Sequence, residues 1–279
     1  MSRLRALASV AAFVLASVAL RALPAHSHPA PSVLRVCSDP NNLPFSNEAR
    51  QGFENRIAEV IARELGAELR YTWWAQRRGF VRNTLGAGEC DLIAGVPAGF
   101  DPVATTVPYY RSTYVFVTRP DLRPAIRSID DPRLRRLRIG VHVIGDDYAA
   151  PPPVLSLARR GIVRNVKGYS LTGDYRQPNP PARLVEAVAS GDVDVAIVWG
   201  PLGGYFASRE RVPLRVTPLR EAGDGPAMPF VFDIAMGVRR ADTALVRRVG
   251  EVLTRRGPEI RRILERYGVP LVPVGREAP

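Results

Sequence analysis

Leu34-Arg35-Val36-Cys37-Ser38-Asp39-Pro40-Asn41-Asn42 holds a short β-type run that breaks into a loop of turn-forming residues. Downstream, Ile57, Val60, Ile61 and Leu65 recur at helical spacing, and Gly66 stands where a helix would close. Leu69, Tyr71 and Trp73 alternate with polar neighbours, as a half-buried strand does. A helix through Phe80, Val81 and Leu85, ending near Gly86, leads into the apolar strand Leu92-Ile93-Ala94-Gly95-Val96. Strand, helix, strand, helix, strand in this order predicts a parallel sheet with right-handed crossovers.

The pattern then restarts. Leu137-Arg138-Ile139-Gly140-Val141 reads as a strand, and Pro153 to Arg160 as a helix with proline near its start and Gly161 beyond its end. Leu184, Val185 and Val188 mark another helix, closed by Gly191, before the buried strand Val193 to Val198. Between the two units lies the strand Tyr114-Val115-Phe116-Val117. A second long strand, Val231 to Val238, precedes two terminal helices separated by Gly257-Pro258. Those helices need a surface to pack on, and returning the chain to the first unit provides one. The expected fold is therefore α/β and type II periplasmic-binding-protein-like: two lobes, each with a mainly parallel sheet, joined by two crossing hinge strands. The first lobe takes residues 33–118 and 236–270, the second 119–235, and 271–279 form a C-terminal tail.

Residues 1–27 read as an export signal. Arg3 and Arg5 precede an uncharged run from Ala6 to Leu20, and after Arg21 comes the small-residue stretch Ala22-Leu23-Pro24-Ala25-His26-Ser27. The apolar run is shorter than the ~20 residues of a spanning helix, so no membrane span is expected after cleavage and the periplasm is the expected destination. The net charge of +12 falls to about +9 when Arg3, Arg5 and Arg21 leave with the signal. Such a balance suits an acidic protein partner or an anionic surface; no aromatic–basic motif points to nucleic acid. Cys37 and Cys90 are the two cysteines. An oxidising compartment favours a disulfide, but at opposite ends of parallel neighbouring strands they would exceed the ~7 Å Cα separation a bridge tolerates. The pairing stays open at this level. Two cysteines without a neighbouring histidine do not fill a tetrahedral metal shell, and no cofactor is expected.

The landmarks Gly52-Phe53-Glu54, Cys90-Asp91-Leu92-Ile93-Ala94-Gly95, Pro108-Tyr109-Tyr110 and Gly191-Asp192-Val193-Asp194-Val195-Ala196 resemble those of the extracellular solute-binding proteins of family 3, which serve amino-acid importers. Longer segments are more specific. Residues 34–47, Tyr71 to Arg82, Tyr109 to Val117, Gly145-Asp146-Asp147-Tyr148 and Val198 to Phe206 resemble the solute-binding-like proteins encoded beside PQQ-dependent methanol and other alcohol dehydrogenases, of the MxaJ or XoxJ type. That resemblance implies a non-catalytic accessory role, supporting or maturing a periplasmic PQQ-dependent dehydrogenase by contact. The alternatives are a receptor feeding an importer with a non-amino-acid solute, and a dehydratase-like enzyme on the same scaffold. The chain departs from amino-acid-binding members at two places. The stretch Val96 to Thr106 has no arginine to hold a carboxylate, and Trp199 stands where the strand carrying Asp194 would supply an aspartate for the ammonium group. Burying a zwitterion without those countercharges is costly.

Ligands of such folds sit between the lobes, outside the carboxyl ends of the strands. This places Asp39, Asn41 and Phe45 at the first lip, and Trp74 and Arg78 after the next strand. Tyr109, Tyr110 and Arg111 lie further round, with His142, Asp146, Asp147 and Trp199 opposite. Either an aromatic-walled pocket or a filled seam fits these residues. Asp146-Asp147 suits a turn better than a catalytic pair, and His142 suits a structural strand end better than a general base.

Overall fold

A computed structural model describes residues 33–143, 150–171, 175–221, 223–225 and 228–273. The expected export signal, Asp146, Asp147 and most of the expected tail lie outside the described residues.

In chain order the first part comprises β1 (Val33–Ser38), the short strands β2 (Asn41–Asn42) and β3 (Ser46–Asn47), α1 (Phe53–Leu65), β4 (Glu68–Trp73), α2 (Phe80–Asn83), β5 (Leu92–Pro97), β6 (Ala104–Thr105) and the long β7 (Tyr110–Thr118). The second part comprises β8 (Ile139–Val143), α3 (Pro152–Arg159), β9 (Val166–Ser170), α4 (Arg183–Ser190), β10 (Val195–Trp199), α5 (Gly200–Ala207) and β11 (Arg215–Pro218). The chain returns through β12 (Val231–Val238) to α6 (Thr243–Arg255) and α7 (Gly257–Arg266).

The strands follow the order β4-β1-β5-β12-β7-β10-β8-β9. β1 runs parallel to β4 and β5, and β8 runs parallel to β9 and β10. Two antiparallel strands join these parallel sets. Residues 110–113 of β7 pair with β12, while Tyr114 to Thr118 pair with β10. One strand thus leaves one sheet and enters the other, and Arg111 on β7 is locked to Asp233 on β12 by a two-pronged ion pair (2.7 and 2.5 Å) at the crossing. The architecture is the type II periplasmic-binding-protein fold.

The two halves repeat one device. Asp91, just before β5, accepts from the backbone N–H of Arg35 (3.1 Å) and from its guanidinium (2.7 Å). Asp194, just before β10, does the same for Arg138 (2.8 and 2.6 Å). In each case a carboxylate satisfies a main-chain donor at the start of the neighbouring strand and neutralises the arginine beside it. Apolar faces then bury the helices. Phe53, Ile57 and Ile61 of α1 pack with Val249 and Leu253 of α6 and Ile260 and Leu264 of α7, so the terminal helices cover the first half of the molecule.

Two local readings change, at α2 and at the cysteines, and α5 adds a helix to the expected elements. α2 stops at Asn83 instead of running to Gly86: the backbone leaves helical geometry at Thr84 (φ −120°, ψ −84°), where the hydroxyl also donates back to the Phe80 carbonyl (2.7 Å). α5 is a helix where Gly200-Pro201-Leu202-Gly203-Gly204 has poor helical propensity. Its glycines are required by contact: a Cβ on Gly204 would lie 1.9 Å from the Gly268 carbonyl oxygen. Cys37 and Cys90 form a disulfide, with Cα atoms 5.6 Å apart. Cys90 is not part of β5, which starts at Leu92; it lies in the preceding connection, buried in one cluster with Cys37, Phe80, Leu85 and Ile93. The opposite-ends argument fails because one of its two ends is not in a strand.

Candidate functional site

The carboxyl ends of β1, β5, β8 and β10 converge on a cavity of about 410 Å³ between the two halves. Asp39, Asn41, Phe45, Tyr110, His142 and Trp199, all singled out from the sequence, line it. The other described candidates do not. Trp74 is exposed, Arg78 lies in an exposed turn, and Arg111 is committed to Asp233. Tyr109 is turned into the protein, donating to the Ala94 carbonyl (2.9 Å).

At the first lip, Asp39 is buried and fully engaged. Its Oδ1 accepts from the Asn41 N–H (2.8 Å); its Oδ2 accepts from the Gln76 N–H (2.6 Å) and from the Tyr175 hydroxyl (2.5 Å). Tyr175 comes from the far half, after β9, so this last bond crosses the cleft. Asn41 crosses it too: its amide donates to the Gln177 carbonyl (2.9 Å) and accepts from the Asn179 N–H (3.2 Å). Between them Leu43 reaches across and packs with Val185, Val198 and Leu202 in the core of the second half. The loop after β1 is therefore a latch, polar at its edges and apolar at its centre. Burial first, and Asp39 second, push the Tyr175 phenol above its ordinary pKa, so it stays a donor.

The walls are aromatic. Trp199, at the β10–α5 junction, packs edge-on against Tyr114 (5.4 Å between ring centroids) and Phe232 (5.7 Å). Phe53 connects Phe45 (5.3 Å) to Tyr110 (6.0 Å). His142 is buried at the end of β8, and burial depresses its pKa to about 4. Its Nε2 lies 3.2 Å from the Pro181 carbonyl, which accepts an Nε2–H and so selects that tautomer of the neutral ring. Burial keeps the ring neutral against the Pro181 carbonyl, which on its own favours the charged form, and the hydrogen bond holds the ring in place.

The strongest polar feature of the wall is Glu54, in the first turn of α1. A helix N-terminus favours ionised carboxylates by roughly 0.3–1 kcal/mol, yet burial, with Asp39 adding repulsion, raises the Glu54 pKa to about 8. Its carboxyl occupies a notch over Gly95, where an added Cβ would stand 2.2 Å from Oε1. Glu54, Gln76, Tyr114, Tyr175 and Phe232 were not singled out from the sequence. A glycine inside the apolar run of β5 was the one local sign that something approaches that strand closely.

Chemically, the described lining residues include two carboxylates and no lysine, arginine, serine, threonine or cysteine. No group of three or more His, Cys, Asp or Glu side chains among the described residues is placed to hold a metal ion. Nor is any helix there long and apolar enough to cross a membrane.

This two-lobed arrangement, with its cavity at the strand ends, defines a periplasmic-binding-protein-type chain. No protein-family model matches it. Protein MoxJ of Methylorubrum extorquens is 35% identical over 297 residues, spanning 98% of this chain and 97% of that protein. The crystal structure of the periplasmic binding protein XoxJ from Methylobacterium extorquens AM1 superposes with a TM-score of 0.71 at 38% identity, covering 86% of this chain and all of that one. MxaJ from Methlophaga aminisulfidivorans MPT gives a TM-score of 0.73 at 27% identity, over 86% of this chain and 100% of that chain. The chain belongs to the MoxJ family.

Proposed function

We propose that the protein is exported to the periplasm and acts there as a non-catalytic accessory to a PQQ-dependent methanol or alcohol dehydrogenase, supporting or maturing it by direct contact. The observation that carries this reading is full-length membership of the MoxJ family, joined to the resemblance of residues 34–47, 71–82 and 109–117 to proteins encoded beside such dehydrogenases. Three features support it. The mature surface is strongly basic, which favours association with an acidic protein. In a receptor that closes on a solute, the bridging atoms belong to the solute; here the chain supplies bridges of its own through Asp39, Asn41 and Leu43. Among the described residues the cavity wall sets no serine, threonine, cysteine or lysine beside a base, and its buried histidine is neutral and bonded to a backbone carbonyl. The candidate residues at the cleft edge, and the division into lobes with changeovers near 118 and 235, are part of the same proposal.

The test is capture from periplasmic extract with the full-length tagged protein expressed and exported in a methylotrophic host. Recovery of a PQQ dehydrogenase subunit at low salt, falling sharply near 0.5 M salt as surface charge is screened, is the expected result. Failure to recover any such subunit at low salt overturns the reading.

A further inference from the structure

Glu54 has no role in the accessory reading, and its surroundings are unusual. Every charged side chain on the described cavity wall is acidic. Of the two, Asp39 spends both oxygens on protein donors. Glu54 has no side-chain hydrogen bond among the described residues, although its carboxyl borders the cavity. A carboxylate in low-dielectric surroundings without a partner must bind a proton or meet a cation. Among the described residues the groups around it supply no cation. From the β1 loop comes Asp39; β5 offers Gly95, Val96 and Pro97, none of them charged; and Tyr109, just before β7, and Tyr110, at its start, have phenols that burial keeps neutral. On the opposite wall His142 is neutral. Arg77 stacks on the Tyr175 ring (4.9 Å) and is not among the residues lining the cavity.

The rest of the wall narrows the class of partner. A hard metal ion such as calcium asks for about six to eight oxygen ligands, and here a single carboxylate is uncommitted. A zwitterion brings a carboxylate that no described lining residue can neutralise. Aromatic faces attract cations that are large and weakly hydrated, and alkylated ammonium groups are the common case. The volume of about 410 Å³ suits a small molecule of that kind.

We propose that the cavity binds a small organic cation, an alkylated or quaternary ammonium lacking a carboxylate, with Glu54 as its counterion and Tyr110, Tyr114, Trp199 and Phe232 as its aromatic walls. Binding ionises Glu54 and so releases its proton. Affinity therefore rises with pH, about tenfold per unit below pH 8, and levels off above it.

The probes are tetramethylammonium, choline and 3,3-dimethylbutan-1-ol, a neutral molecule of the shape of choline. Each is titrated by calorimetry into the intact mature protein at pH 6 and pH 8.5, in buffers of differing ionisation enthalpy. The expected result is binding of at least one cation, at least tenfold weaker binding of the neutral alcohol, and release of a proton at pH 6. Glu54→Gln should abolish the preference for charge while the folded circular-dichroism spectrum is retained; Glu54→Asp, shorter but still acidic, should restore part of it. The proposal is overturned if neither cation binds at millimolar concentration, if the neutral alcohol binds as well as choline, or if Glu54→Gln keeps the preference. Capture of a dehydrogenase is read separately, so the two proposals can fail independently.

Discussion

Replacing Glu54 by glutamine should change how stability depends on pH. In the unfolded chain this carboxyl titrates near 4.5, and in the folded protein near 8. Between those values the folded state holds a proton that the unfolded state has released, so raising the pH favours unfolding. The sign is opposite to that of the ion-paired carboxylates Asp131 and Asp194, which Arg133 and Arg138 hold below the usual range. Those groups are common to both proteins and cancel in the comparison. At about 1.4 kcal/mol per pKa unit, the wild-type protein gives up about 4 kcal/mol between pH 4.5 and 8.5 that the variant keeps. Water reaching the cavity side of the carboxyl lowers this to about 2–4 kcal/mol. The glutamine amide also lacks a partner, so the absolute stability at any one pH is a poor measure; the difference in slope is the informative one. Urea denaturation of both proteins at half-unit steps from pH 4.5 to 8.5, with m-values compared to verify two-state behaviour, measures it. Parallel stability curves for the two proteins would refute the burial argument and remove the reason to regard Glu54 as an uncommitted charge.

Other outcomes follow from the same geometry. The disulfide spans 53 residues, so Cys37→Ser with Cys90→Ser should lower stability by roughly 2–4 kcal/mol, read as a fall in the urea midpoint; an unchanged midpoint in the double variant would contradict a structural bridge. Tyr175→Phe removes the donor that crosses the cleft to Asp39, at a cost of about 1.5–3 kcal/mol for a bond to a charged acceptor. Hydrogen exchange should then accelerate in residues 39–47 and 175–179 and leave β1 and β5 unaffected. His142 runs opposite to Glu54. Its folded pKa of about 4 lies below the ordinary 6.5, so its contribution is present above pH 6.5 and lost as pH falls, about 2 kcal/mol by pH 5. In His142→Gln the stability loss between pH 6.5 and 5 should shrink by that amount in the same urea titration.

Much of the architecture is legible in the chain because each element is bounded locally. Apolar runs such as Leu92–Val96 and glycine stops such as Gly66 and Gly191 need no knowledge of the rest of the molecule. The strand-end rule brought six cavity residues together for the same reason: Asp39, His142 and Trp199 each follow or end a strand that could be located by pattern alone. What escaped was set by distant contact. α5 carries a helix-weakening glycine at 204 because the backbone at Gly268 leaves no room for a Cβ there. Cys90 belongs to a connection whose path over β1 no periodicity encodes. Glu54 looked like an ordinary first-turn acid, which it is by sequence; only the notch at Gly95, 41 positions later, makes it a half-buried one facing the cavity. Tyr175 lies 136 residues from the aspartate it joins.

The latch and the cavity share residues, and this sets a limit on what each can do to the other. Asp39 and Tyr175 line the cavity and also close its edge. A molecule entering along that edge has to part the bond between them, and a protein that grips residues 175–179 pulls on the same bond. A ligand can shift an equilibrium between latched and unlatched forms only by its differential affinity for the two, and the reciprocal effect on partner binding has the same size. With a few cleft-crossing hydrogen bonds of roughly 1–3 kcal/mol each, and with Leu43 seated in the far core, the coupling available is a few kcal/mol. That is enough to change the affinity for a partner by one or two orders of magnitude, and too little to make partner binding all-or-none. A fold bridged across its cleft by its own side chains thus has a means by which cavity occupancy tunes contact with another protein.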